Sequence, residues 1–321
     1  MIKKIFSILA LCLISGASAG QMRDFPDHPI KLVIPVGTGS GADITARFFA
    51  AQLSEVLGQS VIPDNRPGAN GLIGITSVKT APADGYTLLL AAGSTLSINP
   101  IVLKGPLPYD PVKDLKPLTG LTKGVYVIVV PPNSKFQTLA DLVNDAKKEP
   151  GKLNVGVLST TFQLALGWFE SLAGVKFTNV PYKAGTQVIT DLIGNQLDFA
   201  MVDRALAATQ TKAGKLRALA VTGDGRHPDF PGVPTVIESG YRGYEFYSWL
   251  TIAVRSETPD AISNKLVDAL QKVLASDKAR DYARLSGADL MPLGPVAIRK
   301  FQLDELANFR KVAEVAGIKP E

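Results

Sequence analysis

The sequence predicts a two-lobed α/β protein, and three observations carry that prediction. β-rich runs alternate with amphipathic helical stretches along nearly the whole chain, which argues for a mostly parallel sheet with helices on both faces. The 321 residues, 46% of them hydrophobic, suffice for two ordinary cores. No internal repeat, low-complexity tract or long linker interrupts them. The lobes are therefore expected to be joined by chain crossings near residues 120–126 and 221–224. Residues 122–223 would form one lobe, and residues 20–121 plus 224–321 the other.

The opening residues read as an export signal. MIKK is positive, IFSILALCLIS is a short apolar core, and Ala17-Ser18-Ala19 ends in an A-x-A cleavage pattern. The apolar run falls short of the roughly 20 residues that span a bilayer. Residues 1–19 are thus expected to be removed, leaving a soluble chain that begins at Gly20. Cys12, the single cysteine, lies inside this signal behind the bulky Leu11, so lipid attachment is not expected and the mature chain has no thiol. Cysteine-ligated metals and thiol chemistry are excluded with it. His28 and His227 each stand beside a proline and are too few for a histidine-rich metal site, so no metal or cofactor is expected. Lys3 and Lys4 supply two of the formal +5 charges, which leaves a mild +3 without any basic block; no nucleic-acid partner is expected.

Taken in order, residues 30–35 (IKLVIP) read as a strand and residues 42–57 as a helix whose apolar positions Ile44, Phe48, Ala51 and Val56 recur at helical spacing. Ser40 followed by Asp43 resembles a capping box. Val61-Ile62 starts a strand, Asn65-Arg66-Pro67-Gly68 is a turn, and residues 86–92 (YTLLLAA) are a buried strand ending in Gly93-Ser94-Thr95. The near-continuous apolar run 125–130 (VYVIVV) predicts a strand covered on both faces. A helix over 138–148, a strand over 153–157, helices over 163–173 and 186–195, and strands over 199–203 and 216–222 follow. Three helices close the chain, near 259–275, 277–286 and 295–316.

Strand–turn–helix units place ligands at the carboxyl ends of strands, where helix N-termini point. Turns of small or hydroxyl residues occupy that position at 36–43, 93–95, 158–162 and 182–186. The first of them, VGTGSGAD, fits the relaxed dinucleotide pattern through Gly37, Gly39 and Ala42, with Asp64 about twenty residues on. It lacks the Gly-Lys-Ser/Thr of a P-loop. Two readings stand: an exported, Rossmann-like NAD-binding oxidoreductase, or a nest of backbone N–H groups for another anion. An exported hydrolase using Ser40 or Ser94 finds no G-x-S-x-G elbow.

The chain further resembles the Bug-type solute-binding receptors of tripartite tricarboxylate transporters. The matching stretches, in order, are PIKLVIP (29–35), DNRPGA (64–69), ADGYTLL (83–89), YDPVKD (109–114), VPYK (180–183), KAGKLRALA (212–220), VPT (233–235) and AGIKP (316–320). That resemblance implies a periplasmic-binding-protein-like (type II) fold, with two α/β lobes joined by a hinge and a ligand cleft between them. It implies no catalysis and no cofactor. The implied partners are a small organic carboxylate and the permease subunits of a membrane transporter. Citrate-like, C4-dicarboxylic, amino-acid and aromatic acids all stay open, and the short turn at 158–162, Phe162 and Arg204 favour an aromatic or extended dicarboxylic one. The implied setting is the periplasm, and the protein is expected to be a monomer. By position, the family's ligand contacts fall on Gly37, Thr38, Gly39 and Asp43, on Ser94 and Thr95, on the turn Ser159, Thr160, Thr161 and Phe162, on Ala184 and Gly185, and on Asp203. The sequence departs from the family where LSTTFQ replaces a longer turn that ends in a histidine, and where Arg204 follows Asp203.

Each residue also has a structural reading. Asp43 suits a cap that stiffens its turn. Thr38, Ser94 and Thr95 suit either ligand donors or turn hydroxyls. At least one of Ser159, Thr160 and Thr161 is expected to touch ligand. Phe162 is expected in the core or stacked on an aromatic ligand. Arg204 is expected to pair with a second ligand carboxylate, to pair with Asp203, or to be solvated. Tyr247, Ser248 and Trp249 are expected to pack near the cleft.

Overall fold

The computed structural model describes residues 25–158, 160–182, 185–318 and 320. The expected signal segment therefore lies outside the described residues, as do Ser159 and Ala184. In chain order the first part comprises β1 (Ile30–Ile34), α1 (Gly41–Leu57), β2 (Val61–Asn65), α2 (Leu72–Lys79), β3 (Thr87–Ala92), a π-helical turn (Ser94–Ile98), α3 (Asn99–Val102) and β4 (Leu115–Val130). The middle comprises α4 (Leu139–Lys148), β5 (Asn154–Val157), α5 (Thr160–Ala173), β6 (Thr178–Pro181), α6 (Gly185–Ile193), β7 (Phe199–Asp203), α7 (Arg204–Lys212) and β8 (Arg217–Val221). The end comprises β9 (Tyr247–Arg255), α8 (Asp260–Leu274), α9 (Asp277–Ser286), β10 (Asp289–Leu290) and α10 (Pro295–Ala316).

One long strand organises the molecule. The sheet runs β2-β1-β3-β9-β4-β7-β5-β6, with β8 and β10 also paired to β4. Residues 115–125 of β4 pair with β9, up to Val125 opposite Tyr247. From Tyr126, opposite Asp203, the same strand pairs with β7 and β8. β4 thus passes from one group of strands to the other between Val125 and Tyr126.

The expectation of a mostly parallel sheet is overturned. β1 pairs in parallel with β2 and β3, and β5 with β6 and β7. Every ladder made by β4 and β9 is antiparallel. The reason is topological: the chain enters the second group along β4 and returns beside it along β9. β4 also begins ten residues earlier than the apolar run implied. Bulges between Pro117 and Thr119 and between Gly120 and Thr122 let the ladder absorb residues that otherwise break strands.

The apolar patterning finds its partners, with one correction. Each residue from Val125 to Val130 is buried, as a strand covered on both faces requires. In α1 the buried stripe is Ala46, Phe49, Ala50 and Leu53, packed with β1, β3 and α8. Ile44 and Val56, expected to face inward, are 52% and 41% exposed. Both stripes satisfy helical spacing, and the strand partners select between them. α5 packs with β5 and the second half of β4, joined by Tyr244, Phe246, Phe309 and Val312 from the C-terminal part of the chain. Residues expected in the first lobe thus bury side chains beside the middle of the chain.

Candidate functional site

Where β4 changes partners, two adjoining cavities of about 420 and 610 Å³ open beside it. They share Ala42, Ala92, Ser94, Thr161 and Leu250, which form the neck between them. The smaller cavity has no charged side chain in its lining, and Leu90, Val102 and Leu103 give it an apolar wall. The larger one is lined by Lys123, Asp203, Arg204 and Glu305, with Tyr126, Tyr247 and Trp249.

α1 presents its N-terminus to both cavities. Ser40, in extended backbone, caps the helix by accepting from the Asp43 N–H at 3.2 Å. Asp43 is 1% exposed, and its carboxylate is fully engaged. Oδ2 accepts from Gly39 N–H (2.8 Å) and Arg47 Nε (3.0 Å), and Oδ1 from Asn65 Nδ2 (2.8 Å). Burial pushes the Asp43 carboxyl up, but the bonds from Arg47, Gly39 and Asn65 together outweigh it and bring the pKa down to about 2. Asp43 is therefore a charged structural lock.

That lock moves the available donors along the chain. The Gly39 N–H is committed to Asp43, at a residue whose φ of +83° suits glycine. Thr38 and Gly39 line neither cavity, while Gly37 lines the smaller one. The N–H groups of Gly41 and Ala42, the first two of α1, have no intrahelical acceptor, and both residues line the cleft. The residue-by-residue reading missed these two; small residues directly after the N-cap were the available signal.

The second turn is built around an indole. Gly93 leaves room for Trp249, since a Cβ there would lie 2.3 Å from Nε1. The Thr95 hydroxyl bonds Ala92 N–H and Ala92 C=O at 3.0 and 2.8 Å, which makes it a turn hydroxyl. Ser94 lines both cavities, and its hydroxyl has no partner among the described residues.

The remaining expectations divide. α5 begins at Thr160, three residues before the helix expected from 163, so the turn is shorter than it reads. Thr161 faces both cavities from the first turn of that helix. Phe162 sits behind the wall, edge-on to Tyr126 at 5.0 Å, and Tyr126 is the ring that lines the cleft. Gly185 lines neither cavity and faces Leu206 and Leu158. Asp203 and Ala205, at the start of α7, line the larger cavity. The cleft walls raise the Asp203 pKa by desolvation.

Arg204 is neither solvated nor paired with Asp203. It is 7% exposed, its guanidinium bonds the Asp229 carboxylate, and it lies against Gly287 at the C-cap of α9. Tyr247, Ser248 and Trp249 lie on β9 and line the larger cavity. Lys123 Nζ sits 4.7 Å from the Tyr247 ring centroid. Glu305, which the sequence reading did not single out, accepts from Trp249 Nε1 at 2.8 Å, and burial pushes its pKa up to about 7.

Among the described residues no group of His, Cys, Asp or Glu is arranged to hold a metal ion, and no helix is long and apolar enough to cross a membrane. The arrangement gathers the N-terminal ends of α1, α5 and α7 with two hydroxyls around one cleft. Such a site can hold an anion with uncharged donors.

Comparison with known proteins points the same way. A profile of the tripartite tricarboxylate transporter family receptor matches residues 45–317. Protein BugT of Bordetella pertussis is 29% identical over 308 residues, 95% of this chain and 94% of that protein. The structure of R. palustris Rpa4515 with adipate superposes with a TM-score of 0.79 at 32% identity, over 93% of this chain and 100% of that one. MatC (Rpa3494) from Rhodopseudomonas palustris with bound malate superposes with a TM-score of 0.74 at 26% identity, over 90% and 99%.

Proposed function

The chain belongs to the tripartite tricarboxylate transporter family of receptors, and from that premise we propose that it is a periplasmic receptor whose cleft holds a small organic carboxylate at the start of α1. The observation that carries this reading is that Gly41 and Ala42, whose N–H groups have no intrahelical acceptor, line the cleft together with Ser94 and Thr161. Bound adipate in one relative and bound malate in another support the ligand class.

Hydrogen bonds to a charged group contribute roughly 1.5–3 kcal/mol each. Four of them supply about 6–12 kcal/mol, from which the loss of ligand freedom subtracts a large part. What remains is at most about −8 kcal/mol, which is micromolar affinity at the strongest. That strength suits capture followed by release.

The remainder of the reading concerns delivery. Residues 1–19 direct export and are removed. Residues 20–121 with most of 224–321, and residues 122–223 with the side chains of Tyr244, Phe246, Phe309 and Val312 packed on them, act as two lobes that close on the ligand about β4 near Val125 and Tyr126. The closed monomer then hands its cargo to a membrane permease and performs no chemistry itself. A thermal-shift screen of mono-, di- and tricarboxylic acids tests the ligand class, since bound ligand raises apparent stability by mass action. Calorimetry and small-angle scattering follow for any acid that binds. The expected result is micromolar binding with compaction at saturation. Failure of every acid in the screen, or tight binding of NAD in its place, refutes the proposal.

A further inference from the structure

Glu305 is an acid in a cleft meant for acids. Its carboxyl lines the larger cavity, Trp249 Nε1–H donates to its Oε2 at 2.8 Å, and no Lys, Arg or His among the described residues stands within ion-pairing distance of it. The cations of the same cavity are engaged elsewhere, Arg204 with Asp229 and Lys123 over the Tyr247 ring.

An anion that enters this space meets one of two states. An ionised Glu305 would oppose it, like charge against like charge with water excluded. A protonated Glu305 would give it a hydrogen bond instead. Burial holds this carboxyl at about 7, so the proton is at hand near neutrality, and a bound anion raises the value further.

We propose that Glu305 works as the protonated acid: its Oε–H donates to a ligand carboxylate oxygen, its other oxygen keeps the Trp249 N–H, and each capture takes up one proton from solvent. No bond in the ligand breaks; the proton moves from water to Glu305. The inference rests on the carboxylate reading and narrows it, to acids that place a carboxylate in the larger cavity rather than an ammonium group.

The other groups around Glu305 begin with the Ser97 hydroxyl on the π-helical turn, whose bond to the carboxyl lowers its pKa more than the Trp249 N–H does but less than burial raises it. β4 contributes Lys123 and Tyr126, β9 contributes Tyr247, and burial keeps both phenols neutral. The Tyr282 hydroxyl on α9 bonds Thr45. From α7, Arg204 is held by Asp229. On α5 the charged residue Glu170 is held by Lys176, and on α10 itself Asp304 pairs with Lys300 and Arg299 bonds the Leu115 carbonyl. Asp203 is the competing acid, because its carboxyl is also raised by desolvation.

Calorimetry on the full mature chain tests this, using adipate or, failing that, the tightest acid of a mono-, di- and tricarboxylate panel. Heats are compared at fixed pH in buffers of different ionisation enthalpy. Expected is net proton uptake approaching one per site by about pH 8, with affinity falling up to about tenfold per pH unit above neutrality. Glu305→Gln keeps both a donor and the Trp249 acceptor. It is expected to bind within about threefold of wild type at pH 6, to lose little by pH 8.5, and to take up no proton. Asp203→Asn is expected to keep the wild-type uptake. Binding by the wild type without uptake, or with proton release as an ammonium ligand would demand, overturns the role of Glu305 and leaves the carboxylate reading standing. Loss of uptake in Asp203→Asn but not in Glu305→Gln overturns it equally. If no acid binds at pH 6, the carboxylate reading itself falls, and this inference with it.

Discussion

Replacing Asp43 with Asn separates a structural lock from a ligand contact. The carboxylate joins the Gly39 N–H, the Arg47 guanidinium and the Asn65 amide, so it ties the turn before α1 to the helix and to the end of β2. An Asn side chain keeps one acceptor, but its NH2 must turn towards either Arg47 or the Asn65 amide, and both are donors. The fall of the Asp43 pKa from 3.8 to about 2 corresponds to about 2.4 kcal/mol, at about 1.36 kcal/mol per pH unit. Arg47 is nearly half exposed, so screening reduces this to about 1–2 kcal/mol. A loss of that size lowers the melting temperature by about 2–5 °C in a chain this long. The folded-state pKa is depressed, so this stability is present above pH 3.8 and is lost as pH falls through about 2. Urea melts of both proteins at pH 7 and at pH 2.5 measure the gap, which is expected to be fully open at pH 7 and reduced to about a third at pH 2.5. Carboxylate affinity is expected to fall about tenfold, as the Gly41 and Ala42 N–H groups lose their fixed aim. Equal stability at pH 7, or a gap that is the same at both pH values, refutes the reasoning.

Three further outcomes follow from the same geometry. Ser94→Ala removes an unpartnered cleft hydroxyl and is expected to weaken carboxylate binding five- to tenfold by calorimetry, about 1–1.4 kcal/mol, while leaving the melting curve in place. Arg204→Met keeps the packed stem but strands the Asp229 carboxylate, so urea melts are expected to show a loss of about 1–3 kcal/mol. Adipate and its monocarboxylate analogue hexanoate should weaken equally in that variant; a selective loss of adipate would return Arg204 to direct ligand contact. Gly93→Ala drives a methyl group into the Trp249 indole, at an expected cost of about 1–3 kcal/mol and with a shift in tryptophan emission; an unchanged melt and spectrum would show that the indole yields freely.

The parts of the fold that were legible are those where a local rule and the tertiary partner agree. α9 and α10 have the bounds expected from the sequence, and β7 covers the predicted 199–203. Where a local signal had two solutions, the sequence could not choose. In α1 the stripe through Ile44 and the stripe through Phe49 both repeat at helical spacing, and only packing against β1 and α8 buries the second. The apolar run marks only the last part of β4 because Pro117, Gly120 and Gly124 are strand breakers in isolation, whereas two bulges in the β9 ladder and the β10 segment on the other side accommodate them. α7 was not read at all, since Arg204 directly after a strand gives no N-cap signal, and Asp203 makes no capping bond.

The site follows the same division, which also decides what the glycine-rich turn is for. Its position after β1 and before α1 is local information, and it does border the cleft. Which of its N–H groups face a ligand depends on Asn65 and Arg47, the first of them more than twenty residues away in the chain. They hold Asp43 so that it takes the Gly39 N–H and leaves those of Gly41 and Ala42. A dinucleotide cradle needs the glycine backbone of the 37–39 turn open to a pyrophosphate, and an acid beyond β2 open to a ribose. Here an internal carboxylate occupies part of that turn, and Asp64 is bound to Arg66 at 2.8 Å. The turn is thus closed at Gly39 and meets the cleft through Gly37 and the first residues of the helix. That aperture suits one small anionic group better than a dinucleotide. Glu305 lies beyond any local signal, because its role depends on Trp249, 56 residues away in the chain.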